Sequence, residues 1–290
     1  MRKLCALLLV GAATFSACTE KGPAIDFGKS PVASDTSYLA KVEAADQRVV
    51  LVEEFTGASC SPCPNARELL NSAVSSNPDK IIPIEIHLFD FKQSEPKSGA
   101  KYDFRTTDGT EISRTVFGLV AAMPTAGVNR TPFNNNILLF PGAWSAAMDA
   151  QINTVPQANV RVISSYDESS KTATIKVTVA YLQAVARDQF LTVAVLEDGL
   201  VDKQDMPDGT TKEDYVFKHT LRDIITDYQG DRFLADISSK EPGRVYERTF
   251  IYQVDGSWNP DHCEIVAFVH NNQSDSKEVL QAAKTAMKGQ

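Results

Sequence analysis

The spacing of hydrophobic and polar residues differs between the two halves of this chain of 290 residues. Between residues 46 and 157, short apolar runs with strand character alternate with stretches in which apolar residues recur at helical spacing. Strands that alternate with helices favour a layered α/β fold. The elements predicted in this half are a strand at 48–55, a helix at 62–76, a strand at 81–89, and helices at 110–119 and 142–154.

The second half has the periodicity of strands. Residues 171–181 alternate between apolar side chains such as Ile175 and polar ones such as Thr174, which indicates a strand with one buried face. Short strands separated by turns, such as the one at 207–209, favour an all-β sandwich. Further strands are predicted at 158–165, 190–197, 246–254, 263–270 and 278–285.

The first 17 residues have the character of an export signal. A basic start is followed by an apolar run and then by small residues, and the segment is too short to span a bilayer as a helix. The ending Phe15-Ser16-Ala17-Cys18 resembles a bacterial lipobox, in which cleavage leaves a lipid-modified cysteine. We therefore expect a lipoprotein signal peptide at 1–17 and a membrane anchor on Cys18, followed by a polar tether at 18–45. An ordinary secretory signal with a chance cysteine is the alternative.

The negative net charge of the chain argues against some classes of binding partner. Loss of the signal peptide removes two basic residues and no acidic ones, so the formal charge moves from −8 to −10. An acidic chain without a basic run is poorly suited to bind nucleic acid. A hydrophobic content of 43% provides ample material for a core in one or two domains.

Cys60-Ser61-Pro62-Cys63 is the segment of the chain that most strongly suggests chemistry. It follows an apolar strand and opens a helix-compatible stretch. The free N–H groups of a helix's first turn favour a thiolate, which is the reactive form of cysteine. Three other interpretations stay open: a permanent structural disulfide, half of a zinc site, or a relic on a binding domain. No cofactor or metal is predicted, and Cys263, in an apolar strand, is expected to be a buried, inert thiol.

With the later Met123-Pro124-Thr125 in view, residues 46–157 resemble a thioredoxin-fold domain. In that family a cis-proline lies beside the cysteine pair, so the resemblance implies this role for Pro124. It also implies that Glu54 is the buried acid that often precedes the active-site loop. The sequence departs from the family at Ser59, where thioredoxins have tryptophan.

The whole chain resembles a narrower family, named for a twenty-eight-kilodalton outer-membrane protein. The lipobox, the opening Val-Glu-Glu-Phe-Thr-Gly with its cysteine pair, and the second half carry the resemblance. It implies a lipoprotein at the outer membrane or the cell surface, with a thioredoxin-like domain at 46–157 and an immunoglobulin-like sandwich at 158–290.

These observations predict a lipid-anchored, extracytoplasmic thiol–disulfide oxidoreductase. Cys60 would attack, Cys63 would resolve the mixed disulfide, and Glu54 would accept the proton from Cys63. Both sulfurs would then have to lie within reach of water, with Pro124 facing them. The expected partners are thiols or disulfides of exported proteins. The alternative is a non-enzymatic surface lipoprotein, an adhesin or receptor, that binds a partner through its sandwich.

Overall fold

The structure of the protein is a computed structural model that describes residues 32–289. The predicted signal peptide, the lipid on Cys18 and the first part of the tether lie outside these residues. The strands are β1 (Val32–Leu39), β2 (Val50–Thr56), β3 (Ile81–His87), β4 (Thr125–Val128), β5 (Ala158–Asp167), β6 (Thr172–Tyr181), β7 (Gln189–Glu197), β8 (Leu200–Asp205), β9 (Thr211–Phe217), β10 (Thr220–Ile224), β11 (Asp231–Phe233), β12 (Arg244–Gln253), β13 (Cys263–Asn271) and β14 (Val279–Ala286). The helices are α1 (Cys63–Ser76), α2 (Thr107–Thr115) and α3 (Pro141–Ile152), with a 3₁₀ turn at Lys92–Ser94.

A sheet of eight strands extends through both halves of the chain. Its order is β14-β13-β7-β10-β3-β2-β4, with β11 beside β7. Strand β3 runs parallel to β2 and to β10, and the other pairs are antiparallel. Because β10 pairs with β3 on one side and with β7 on the other, strands from both predicted domains share one hydrogen-bonded sheet. The domain boundary at residue 157 stays a prediction.

The two faces of this sheet are covered differently. In β2, Val50 and Val52 pack with residues of α1 and α3, whereas Leu51 and Phe55 face the opposite side and pack with residues of α2. This alternation is the period-2 pattern of a strand buried on both faces. The polar residue Glu54 belongs by its position to the α1 face, and Glu53 to the α2 face.

A second sheet, in the order β1-β12-β6-β5, packs on the β7-β13-β14 end of the large sheet. Ile175 of β6 is fully buried in the core between them, while Thr174 is exposed. The prediction of a mostly-β second half with alternating strands is thereby confirmed, and the sheets are compatible with a sandwich. The strands predicted there from the sequence lie within one or two residues of their observed bounds.

Helix α2 differs from the helix predicted at 110–119. It begins earlier because the hydroxyl of Thr106 accepts a hydrogen bond of 3.0 Å from the N–H of Gly109, which caps the first turn. It also ends earlier, at Thr115, and Gly118 then adopts a positive φ of 77°. A residue in that conformation cannot continue a right-handed helix.

Two segments correct the sequence-based assignment. Residues Val32–Leu39, expected to be part of the tether, form strand β1 and pair with β12. All eight are exposed, so β1 leaves no alternating apolar signature. Main-chain pairing with β12 and the contacts of Asp35 with Tyr246 and Arg248 hold it at the sheet edge. Strands β8 and β9 were not predicted either, and they form a separate two-stranded sheet.

Candidate functional site

Cys60 and Cys63 form a disulfide with a Cα–Cα separation of 5.4 Å. Strand β2 ends at Thr56, and α1 begins at Cys63 with Pro62 as its N-cap residue. The N–H of Cys63 donates to the carbonyl of Cys60 over 3.1 Å, so the bridge closes the turn that leads into the helix. The predicted sequence of strand, cysteine pair and helix is confirmed.

Pro124 follows a cis peptide bond and immediately precedes β4. Thr125 of β4 pairs with Phe55 of β2, so Pro124 lies at the end of β2 from which the cysteine loop departs. Ser94 connects the two regions, because its hydroxyl donates to the carbonyl of Thr56 over 2.8 Å and lies 3.7 Å from Sδ of Met123. The structure therefore brings the proline and the cysteine loop to the same end of the sheet strands.

Gly57 begins the cysteine loop at a point of close backbone contact. A Cβ at this position would lie 2.2 Å from the carbonyl oxygen of Gln93, so only glycine fits. The same carbonyl accepts a hydrogen bond of 2.8 Å from the N–H of Ser59. The 3₁₀ turn is thus packed directly against the loop.

Glu54 is fully buried on the α1 face of β2, directly opposite Glu85 of β3. Neither of its carboxyl oxygens has a hydrogen-bond partner among the described residues. Burial, and then the neighbouring Glu85, raise the pKa of Glu54 well above its ordinary value. The shift favours the protonated form of the carboxyl group, and the burial implied by the family resemblance is confirmed.

Glu54, Glu85 and Arg67 of α1 form a buried cluster of ionisable residues, and Arg67 supplies its positive charge. Its Nε lies 2.8 Å from Oε2 of Glu85, and one terminal nitrogen donates to the hydroxyl of Thr56 over 2.9 Å. Its other terminal nitrogen donates to the side-chain oxygen of Gln204 over 2.8 Å. Burial raises the pKa of Glu85 to about 7, and Arg67 opposes that rise. Arg67 thus joins helix α1, strand β3 and strand β8.

His87 lies beside the cluster and is also buried. Its ring centroid is 5.1 Å from that of Phe104 and 6.1 Å from that of Phe217. Burial, and then the charge of Arg67, lower the pKa of His87 well below its ordinary value. The imidazole is therefore neutral, and neither ring nitrogen has a hydrogen-bond partner in the part of the chain that the structure describes.

The expectation that the two sulfurs reach water is wrong for this conformation. Cys60 is 2% exposed and Cys63 is 0% exposed. The hairpin Leu200–Phe217, formed by β8 and β9 and called the flap below, lies against the cysteine loop. The amide of Gln204 donates to the carbonyl of Cys60 over 3.1 Å, and the N–H of Asp205 donates to that of Ala58 over 2.8 Å.

The sequence-based reasoning missed Arg67, Glu85 and Gln204. Arg67 carried a signal, since it lies next to Ala66 on the buried face of α1, where an isolated charge requires a partner. Nothing in the sequence around Gln204 indicated that it contacts the site. Cys263 is buried with a free thiol, as predicted, and Cys18 lies outside the described residues.

Between residues 32 and 289, no three His, Cys, Asp or Glu side chains are grouped so that they could hold a metal ion. Over the same residues, no helix has the length and apolar character needed to cross a membrane.

Fold and site define a mostly-β protein of mixed and antiparallel sheets that carries one buried disulfide at a helix start. The chain belongs to the family described as "Outer membrane protein Omp28", whose sequence model matches residues 112–290. It is accordingly an outer-membrane protein. The matched region includes Pro124 and all of the second half, and it excludes Cys60 and Cys63.

Several solved structures are similar to this chain. HBP35 of Porphyromonas gingivalis has a TM-score of 0.66 at 17% identity, over 84% of this chain and 77% of the other. A protein from Agrobacterium tumefaciens has a TM-score of 0.51 at 12% identity, over 84% of this chain and 96% of the other. A domain of the outer membrane lipoprotein Omp28 from Porphyromonas gingivalis is 18% identical, with a TM-score of 0.30 over 45% of this chain and 88% of that domain. The first two likenesses concern the fold alone. No curated protein matches the chain.

Proposed function

We propose that this outer-membrane protein is a thiol–disulfide exchange protein, anchored by a lipid on Cys18 and acting through Cys60 and Cys63. One observation carries the proposal: the disulfide lies at the first turn of α1, and the carboxyl of Glu54, whose pKa is raised by burial, lies on the helix-covered face of the strand that leads into it. A buried carboxyl without a hydrogen bond destabilises a fold. Proton transfer to and from Cys63 is the function that we assign to this carboxyl group.

The order of elements supports a thioredoxin-like assignment of residues 46–157. Strand β2 lies between the parallel β3 and the antiparallel β4, helices separate these strands along the chain, and cis-Pro124 precedes β4. The antiparallel sheets of residues 158–290 support an immunoglobulin-like sandwich. Fold alone does not define the activity, so the chemistry of the site has to support it.

With a substrate that carries two thiols, the exchange has two steps. A substrate thiolate attacks Sγ of Cys60, the Cys60–Cys63 bond breaks, and its electron pair leaves on Cys63, which takes the proton of Glu54. The second substrate thiolate then attacks the substrate sulfur of the mixed disulfide and releases Cys60 as a thiolate, which the first turn of α1 stabilises. The substrate is oxidised to a disulfide and the protein pair is reduced.

In the reverse direction, Cys60 attacks a substrate disulfide and Cys63 resolves the intermediate while Glu54 accepts its proton. The partners that this chemistry requires are thiols or disulfides of exported proteins. Direction depends on the reduction potential of the pair relative to that of its surroundings.

The burial of both sulfurs favours a second candidate function. In it the disulfide is structural, and the protein is a non-enzymatic surface lipoprotein that binds a partner through its sandwich. A disulfide of this kind would break only when the protein unfolds.

Equilibration of the purified mature protein with glutathione buffers distinguishes the two functions. We expect the Cys60–Cys63 pair to open and close reversibly while near-UV circular dichroism stays native, and the reduced protein to reduce insulin disulfides. Cys60→Ser should abolish insulin reduction, and the matched variant Cys263→Ala should retain it. Reduction that occurs only together with loss of the native spectrum would establish the structural disulfide instead.

A further inference from the structure

The flap is attached to the rest of the molecule in an unusual way for a β-hairpin. Strands β8 and β9 pair only with each other among the described strands, although they lie between the sheet strands β7 and β10 in the chain. At the base, the N–H of Gly199 donates to the carbonyl of Phe217 over 2.9 Å. Most of β9 is exposed, and Phe217 at its end is buried. The flap is thus fixed at its base, and it contacts the molecule along β8 and through Tyr215 and Phe217 of β9.

Strand β8 donates hydrogen bonds to main-chain carbonyls of the cysteine loop. The amide nitrogen of Gln204 lies 3.3 Å from the carbonyl oxygen of Gly57 and 3.1 Å from that of Cys60. The N–H of Asp205 donates to the carbonyl of Ala58 between them, over 2.8 Å. Three carbonyl groups next to the disulfide therefore receive hydrogen bonds from one strand.

Arg67 determines the orientation of the Gln204 amide. A guanidinium group can only donate hydrogen bonds, so the side-chain oxygen of Gln204 must face Arg67 and its nitrogen must face the loop carbonyls. Gln204 is 0% exposed. Its contacts therefore depend on the closed position of the flap.

Further polar contacts hold β8 in place. Asp202 accepts hydrogen bonds from the N–H groups of Lys101 and Tyr102, over 2.8 and 2.9 Å. The ammonium group of Lys203 donates to the carbonyl of Ser98 over 3.0 Å, and Lys97 pairs with Asp205. Asp202 is itself buried, whereas Lys97, Lys203 and Asp205 are partly exposed, where polar contacts contribute little to stability.

We propose that β8 holds the place of an extended polypeptide substrate, so that the flap is an intramolecular cover that such a substrate displaces before exchange. This inference rests on the proposed function. An extended chain presents main-chain N–H groups in a row, and these can replace the donors that the loop loses when β8 leaves. Those donors are the N–H of Asp205 at Ala58 and the side-chain amide of Gln204 at Gly57 and Cys60. Small thiols lack such a row, so the cover selects cysteines in extended segments of polypeptide.

The bond changes are those of the proposed exchange, and the flap adds no reactant. A cysteine thiolate of the displacing segment attacks Sγ of Cys60 and the electron pair of the broken disulfide leaves on Cys63. Gln204 acts as a positioning residue in this scheme, because it touches the loop carbonyls and neither sulfur in its hydrogen bonds.

Reduction of the disulfide by dithiothreitol tests whether the flap covers it. Gln204→Ala should raise the rate about fivefold to a hundredfold, because the closed position loses buried hydrogen bonds. It should also raise hydrogen exchange at the N–H of Asp205 by a similar factor. The matched control is Gln253→Ala, whose amide likewise donates to two main-chain carbonyls, those of Ser170 and Lys171, but far along the chain from the flap.

Equal reduction rates in the wild type, Gln204→Ala and Gln253→Ala would overturn the cover while leaving the exchange function intact. If none of the three is reduced in the native state although Asp205 exchange rises in Gln204→Ala, the exchange function itself fails. The substrate-like role of β8 then fails with it.

The class of substrate is tested with Cys63→Ser, which leaves Cys60 as the one thiol of the pair for a stable mixed disulfide, while the free thiol of Cys263 is buried. One sample carries a short synthetic peptide with a central cysteine, and the other carries cysteamine. We expect faster hydrogen exchange at the N–H of Asp205 in the peptide adduct than in the cysteamine adduct. Equal exchange in the two adducts would overturn the claim that an extended chain replaces β8.

Discussion

A buried carboxyl group without a hydrogen bond is rare in proteins, and Glu54 is one among the described residues. Burial, and then Glu85, raise its pKa, and this shift favours the neutral form that the fold tolerates beside Glu85. The neutral form stabilises the folded state fully below the ordinary carboxyl pKa, and this stabilisation is lost as the pH rises through the higher pKa of the folded protein.

Glu54→Gln should therefore gain stability relative to the wild type as the pH rises from about 5 to about 9. Each pH unit between the unfolded and folded pKa values is worth ~1.4 kcal/mol, so we expect a relative gain above about 1 kcal/mol in urea unfolding. Glu68→Gln, at an exposed position of α1, is the control and should follow the wild-type curve. A difference between Glu54→Gln and the wild type that does not vary with pH would show that Glu54 is not held neutral by the fold.

Burial makes Cys263 unreactive, whereas it prepares Glu54 for proton transfer in the proposed exchange. Burial, and then the carboxylate of Glu197, raise the pKa of its thiol to about 12. At about pH 8 the thiolate is scarce and shielded, so iodoacetamide should not label Cys263 in the native protein and should label it after unfolding. Mass spectrometry of the labelled peptides measures this, and rapid labelling of the native protein would contradict the buried position.

At the scale of elements, buried ion pairs connect strands that are far apart in the chain. Arg130, which follows β4, donates to both carboxyl oxygens of Glu53 in β2 over 2.7 and 2.8 Å, and both side chains are buried. Its guanidinium group also lies 4.9 Å from the ring centroid of Phe268 in β13. The pair therefore packs the β2 end of the large sheet against strands of the second half.

Arg130→Met should lower the free energy of unfolding by about 3–5 kcal/mol, because it leaves Glu53 buried without a counter-charge. Arg187→Met is the matched control, since Arg187 pairs with Asp275 at the surface over 2.8 Å, and it should leave the urea midpoint unchanged. In Arg130→Met/Glu53→Met part of the loss should be recovered. Equal effects of the two single substitutions would contradict the role assigned to the buried pair.

Most elements could be predicted from local pattern, and two of the exceptions, β1 and β9, share a cause. Strand β6 was predicted because its buried and exposed residues alternate, and α1 because apolar residues recur along it after a proline start. Strands β1 and β9 are almost wholly exposed. Their main-chain partners hold them as strands, and such pairing leaves no apolar period in the sequence.

At the scale of the whole molecule, the shared sheet couples the two halves. Besides the pairing of β10 with β3, Arg48 donates from just before β2 to the carbonyl of Val279 in β14 over 2.7 Å. The side chain of Gln281 in β14 likewise accepts from the N–H of Val49 over 2.9 Å and donates to the carbonyl of Gln47 over 2.8 Å. Separate unfolding of either half would break these contacts.

We therefore expect one cooperative unfolding transition, which the two tryptophans can report. Trp144 lies in α3 of the first half, and Trp258 lies near the core of the second. In Trp258→Phe and in Trp144→Phe, the fluorescence of the remaining tryptophan and the far-UV circular dichroism should give coincident urea midpoints. Comparison within each variant removes the effect of the substitution on stability, and separated midpoints would contradict the coupling.

The sequence by itself determined the local elements of the site. A buried strand, a cysteine pair, a proline start and a helix follow one another directly, so neighbouring residues specify them, and the later Met123-Pro124-Thr125 supplied the cis-proline through the family resemblance. The burial of Cys263 was likewise evident from its apolar strand.

Only the tertiary structure decided whether water reaches the sulfurs. Gln204 hydrogen-bonds with Arg67 across 137 positions of the chain, and the strand that carries it is polar enough to resemble a loop. Periodicity is a property of residues within a few positions of one another, whereas the closure of the flap depends on hydrogen bonds between segments that meet only after the sheet has formed.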